Sequence, residues 1–124
     1  TLDGSGRGPG AILNQDYTLN SAANPAPRGS VIMCWSTGLG QTEPAGQDGQ
    51  IAGAVLPRPL AAVTARLGGR PAPVEWVSVG PGLVAGAFQI NIRIPPDAPA
   101  GPAVRLEISA GVTGSQRTVT VAIQ

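Results

Sequence analysis

Apolar and polar residues alternate with a period of two along the second half of this chain. Val63, Ala65 and Leu67 share one parity against Thr64 and Arg66. Phe88, Ile90, Ile92 and Ile94 stand against Gln89, Asn91 and Arg93. Val104, Leu106 and Ile108 oppose Arg105 and Glu107, and Val119, Val121 and Ile123 oppose Thr118 and Thr120. Successive side chains of a strand point to opposite faces, so each run buries one face and wets the other. No segment keeps a helical period over three turns. Little or no helix is predicted.

Glycine (18) and proline (13) make up a quarter of the 124 residues. In an apolar-poor chain that fraction means disorder. Here hydrophobic residues reach 42%, so the glycines and prolines read as turns between strands. Leu67-Gly68-Gly69-Arg70 is a hairpin turn, Gly80-Pro81-Gly82 a break, 95–101 a closure and 111–114 a turn. Ser30 to Ser36 is apolar on both faces, as a central strand is. The prediction is an all-β, immunoglobulin-like β-sandwich of about seven short antiparallel strands, one domain in size. Residues 1–20 read as an extended N-terminal segment or inter-domain joint, and 21–124 as the sandwich. Within the first part, Ala11–Leu13 and Tyr17–Leu19 are expected to be extended around a turn at Asn14-Gln15-Asp16. Residues 40–59 form a long loop with a turn at Gln47–Gln50. Trp76 shares parity with Val74 and is expected in the core; Trp35, at the end of a buried strand, is expected there too.

The side-chain inventory excludes much chemistry. All eight basic residues are Arg, scattered, and seven acids leave a net charge of +1. No basic stripe suits nucleic acid. No apolar run approaches a membrane span, and no cationic amphipathic helix is visible. With no His and no Lys, there is no imidazole base, no Schiff-base lysine and no Cys/His zinc set. The single cysteine, Cys34, lies in the run Val31–Trp35; it reads as a buried thiol and cannot form an intrachain disulfide. Asp3-Gly4-Ser5-Gly6 lacks the closing carboxylate of a calcium loop. Gly4–Gly8 lacks the strand, helix and lysine of a phosphate loop. The other acids are spread over loops and polar strand faces. No enzyme, catalytic residue, metal or cofactor is predicted.

Five stretches carry a resemblance: Gly10–Asp16, Asn20–Pro25, Gly38–Thr42, Pro81–Gly86 and Gln89–Pro95. In this order they resemble the C-terminal domain of a large paralogous family of secreted proteins in Acidobacteria of the Solibacter and Bryobacter type. That resemblance covers nearly the whole chain. It implies an extracellular β-domain, preceded by another immunoglobulin-like domain across a joint like Thr1–Gly8, and it implies no activity. Cys34-Trp35 departs from the aliphatic or Tyr pair expected at that place.

The function expected is that of a non-catalytic structural or adhesive module in a secreted or cell-surface bacterial protein. Its partners would be other domains of the parent protein or copies of itself. Thr1 rather than Met at the first position suggests a processed product, a fragment or a repeat, with any targeting segment upstream. Candidate interaction residues are Thr1, Leu2, Ile12 and Leu13 in the N-terminal segment, Gln47, Asp48 and Gln50 in the long loop, and Trp76. One alternative is a self-assembling filament in which the N-terminal segment adds as a strand to a neighbour. Another is a glycan-binding accessory domain, which an exposed Trp would favour.

Overall fold

A computed structural model describes all 124 residues, and it is all-β. The strands in chain order are β1 (Gly8–Pro9), β2 (Ile12–Leu13), β3 (Val31–Thr37), β4 (Thr42–Glu43), β5 (Arg58–Pro59) and β6 (Val63–Leu67). They continue as β7 (Arg70–Ala72), β8 (Val74–Val79), β9 (Ala87–Arg93), β10 (Gly101–Ala110), β11 (Thr113–Gly114) and β12 (Val119–Ile123). Seven of the twelve are three residues or longer. One sheet has the order β1-β12-β10-β6-β7, with β11 added to β10; the other has the order β2-β3-β9-β8. A small ribbon, β4–β5, lies within the 40–59 loop.

The predicted alternation is the packing rule of the core. Phe88, Ile90, Ile92 and Ile94 are buried, as are Ala65, Leu67, Val104, Leu106, Ile108, Val121 and Ile123. Ile32 and Cys34 of β3 stand opposite Ile92 and Ile90 of β9. Each large aliphatic side chain so buried contributes about 1.5–3 kcal/mol. The 67–70 hairpin forms as expected: Gly68 and Gly69 have φ of 55° and 82°, the left-handed pair a two-residue hairpin turn needs. A Cβ at Gly68 would also meet Pro99 Cγ at 2.2 Å.

Three expectations are corrected. Residues 8–20 do not stand apart from the sandwich. β1 runs parallel to β12, with Gly8 N–H donating to Thr118 O (2.8 Å) and Gly10 N–H to Thr120 O (2.9 Å). β2 pairs with β3 and puts Ile12 into the core. Ile12 is the apolar residue that closes the open end of the second sheet, and leaving it in water would cost its burial energy. Tyr17 is not extended; its φ is 66°. Its N–H donates to Asn14 O, while Asp16 accepts from both the backbone and the hydroxyl of Thr18, an Asx turn that outcompetes an extended chain. Trp76 is not in the core. Val74 pairs with Ile92, but Trp76 pairs with Asn91, so Glu75 is an extra residue in β8. A bulge of one residue reverses the facing of everything beyond it. Val77 and Val79 therefore turn inward and Trp76 outward.

Two buried asparagines, Asn14 and Asn20, join the two sheets. The Asn20 side-chain N–H donates to Asn14 Oδ1 and to Ala122 O, both at 2.9 Å, and its Oδ1 accepts from Ala122 N–H at 2.8 Å. Asn14 donates onward to Asn24 O at 3.0 Å. The Asn20 amide thus acts as a one-residue strand partner for β12. Asn20→Ala leaves Ala122 N–H and Asn14 Oδ1 buried without partners, while Ala122 O keeps the Ala26 N–H; the loss is expected to be about 1–3 kcal/mol per group left unmet. Ile12→Ala is expected to cost about 2–5 kcal/mol. Urea unfolding with an unchanged m-value measures both losses.

Candidate functional site

The outward face of the β2-β3-β9-β8 sheet gathers most of the chain's distinctive side chains. Seven consecutive pairs join β3 to β9, from Val31–Arg93 to Thr37–Ala87. Odd-numbered residues of both strands therefore point away from the core. One row reads Leu13, Met33, Asn91 and Trp76; the next reads Trp35, Gln89 and Ser78. The row beyond is closed by the ion pair of Arg93 with Glu75. Gln89 Nε2–H donates to Asn91 Oδ1 at 3.0 Å, so the two amides lie in line along β9.

Trp76 is 40% exposed yet held in place. Its Nε1–H donates to Ser78 Oγ at 2.9 Å, and Ser78 Oγ–H donates to Val79 O. The Arg58 guanidinium carbon sits 3.8 Å from the ring centroid, a cation–π contact worth roughly 0.5–1 kcal/mol at a partly exposed site. Arg58 comes from β5, which the 40–59 loop brings alongside β8; Val79 N–H donates to Pro57 O at 2.7 Å. Trp35, on the same face, is partly exposed rather than buried as expected. Its parity with Met33 directs it outward, and Met33 itself is buried beside it.

A cleft of about 580 Å³ opens at one end of the sandwich, between the N-terminal arm, the end of β3 and the β10–β11 turn. Cys34, Leu39, Leu106 and Ile108 are among its apolar lining and Ser36 and Gln116 among its polar lining; none of its lining side chains is charged. Ser36 Oγ is buried there without a hydrogen-bond partner. Burial pushes the Cys34 thiol up to about 12, which keeps it protonated and a poor nucleophile at neutral pH. The cleft offers room and several hydroxyls, and no charged side chain lines it.

The predicted interaction residues fall in separate places. Thr1 and Leu2 are on the N-terminal arm, where the Thr1 hydroxyl accepts from Gly6 N–H at 2.9 Å and Leu2 is exposed. Ile12 is 2% exposed, so it belongs to the core and not to a surface. Gln47, Asp48 and Gln50 are exposed on the predicted turn, closed by Gln50 N–H to Gln47 O. Leu13 and Trp76 alone share a row. Sequence reasoning did not single out Gln89, Asn91 or Arg58 as site residues. The alternation of β9 already faced Gln89 and Asn91 outward; what could not be read was the bulge that brings Trp76 beside them.

No protein-family model, curated protein or solved structure matches this chain.

The thiol gives a test of the closed interior. Cys34 is expected to resist a thiol reagent in the native state at pH 8 and to react at once when the chain is unfolded in urea. Its pKa is raised above the ordinary 9.0, so the folded state holds the proton more tightly. The associated stability is present below pH 9 and is lost as pH rises from there toward 12. Native reaction at the rate of a free thiol would show that the cleft admits solvent to Cys34.

Proposed function

We propose that this chain is a non-catalytic, immunoglobulin-like module of a secreted or cell-surface bacterial protein, with a structural or adhesive role. The strand order supports the fold-level part. With the five other strands set aside, lettering β2, β3, β6, β8, β9, β10 and β12 as A to G reads as ABED and CFG, a strand order that supports the immunoglobulin-like reading. β7 then extends the CFG sheet at its edge. The extracellular setting rests on the resemblance carried by the five stretches in the sequence.

The observation that carries the structural role is the closure between the two ends of the fold. β1 and the bridge at Ala26 both run parallel to β12. Ala26 N–H donates to Ala122 O at 2.9 Å, and Gln124 N–H donates to Ala26 O at 3.0 Å. In a parallel pair the chain enters at one end of the ladder and leaves at the other. A pull along the chain then loads these hydrogen bonds in shear, and they must break together. A hairpin pulled open from its ends breaks its bonds one at a time.

Strand addition to a neighbour has less support. The open edges are short or blunted: β7 has three residues and contains Pro71, and loop residue Pro57 bonds to the end of β8. Such edges disfavour pairing with another chain. To donate its N-terminal segment, the domain would also have to give up Ile12 and the Asn20 network.

Force spectroscopy on a concatemer of this domain tests the reading. Each copy is expected to unfold in one all-or-none step with a clear force peak, as unfolding under force follows the unfolding barrier. Asn20→Ala is expected to lower that peak. Extension without a peak would remove the structural role.

A further inference from the structure

The outer face of β3, β9 and β8 has the features of a small-ligand site. Trp35 on β3 and Trp76 on β8 flank β9 on one face, one row apart. From ordinary strand spacing and rise, their Cα atoms are about 12 Å apart. Gln89 and Asn91 lie between them. Because each amide spends one group on the other, Gln89 Oε1 and Asn91 Nδ2 remain free of partners in the fold. The centre of the face thus presents one unused acceptor and one unused donor between two indole rings.

We infer that this face binds a neutral oligosaccharide, with sugar rings stacked on Trp35 and on the side of Trp76 that Arg58 does not cover, and hydroxyls bonded to Gln89 and Asn91. A hydroxyl both donates and accepts, so it meets either amide group. The C–H face of a pyranose ring lies flat on an indole, whose π-face carries the negative end of its quadrupole. The tie of Nε1 to Ser78 and the Arg58 stack hold Trp76 before any ligand arrives, which lowers the entropy lost on binding. Charge at the margin is internally paired, Arg93 with Glu75. The remaining cation, Arg58, is stacked on the Trp76 ring at the end of the Asn91 row; the centre of the face, Gln89 and Asn91, offers only uncharged donors and acceptors, which suit hydroxyls.

Size favours a sugar over a protein. The two uncharged rows, four and three strands wide, cover roughly 230 Å² from strand spacings. A stable protein interface needs about 800 Å² on each partner. The inference is independent of the force-carrying role, since a domain can resist force without binding sugar and bind sugar without resisting force.

Trp35 and Trp76 are the chain's two tryptophans, so intrinsic fluorescence reads this face directly. The probes are the hexasaccharides of the cello, xylo, laminari, malto and chito series, with polygalacturonic acid as the anionic comparison. At least one neutral hexasaccharide is expected to shift the emission saturably. Trp76→Ala and Asn91→Ala are each expected to weaken that binding about tenfold, as measured by calorimetry. Val112→Ala, on the exposed β10–β11 turn of the other sheet, is expected to leave it unchanged. No response to any neutral hexasaccharide at millimolar concentration would overturn the inference. So would binding of polygalacturonic acid alone, or Trp76-dependent self-association in light scattering without sugar binding.

Discussion

The seven-pair ladder between β3 and β9 is the constraint on which the rest of this molecule depends. It is the longest uninterrupted register in either sheet. Its even residues supply Ile32, Cys34, Phe88, Ile90 and Ile92 to the interior, and its odd residues supply Trp35, Gln89 and Asn91 to the exterior. A slip of one residue would exchange these sets and put amides in the core. The cost of unpaired buried amides, at a few kcal/mol each, makes that exchange prohibitive. Core and candidate site are therefore two readings of one register.

Around this ladder the fold is closed by polar rather than apolar contacts at one place. The stretch from Ile12 to Ala26 passes between the sheets, and the chain there has little aliphatic mass. Asn20 fills the role that a strand would otherwise play, and its side chain supplies three hydrogen bonds to Asn14 and the Ala122 backbone. A nearly fully satisfied buried amide specifies one geometry, because few alternatives meet all its bonds. This is why the N-terminal segment, polar and glycine-rich as it is, has a defined place in the sandwich.

The sandwich frame was legible in the residues. Phe88, Ile90, Ile92 and Ile94 announced a core face, and Gly68-Gly69 announced the hairpin that registers β6 with β7. The buried state of Cys34 followed from its apolar neighbours. The candidate face was half legible: the parity of β9 placed Gln89 and Asn91 outside. Trp76 was misread because parity was carried across Glu75 without a bulge, and nothing local marks that residue as unpaired. Trp35 was misread because a strand apolar on both faces hides which face its last aromatic takes. The β4–β5 ribbon was invisible because Pro44, Pro57 and Pro59 argue against strands there, although two-residue edge pairs tolerate them.

By itself the sequence determined the secondary-structure class, the turn positions, the aliphatic half of the core and the absence of imidazole or lysine chemistry, because these follow from side-chain type and period-two spacing alone. Tertiary structure decided which strand the N-terminal segment would accompany, where β8 would bulge and which side chains from three strands would share a surface. These are contacts between residues far apart in the chain, as between Asn20 and Ala122 or Arg58 and Trp76. Their energies depend on a meeting that no local spacing encodes.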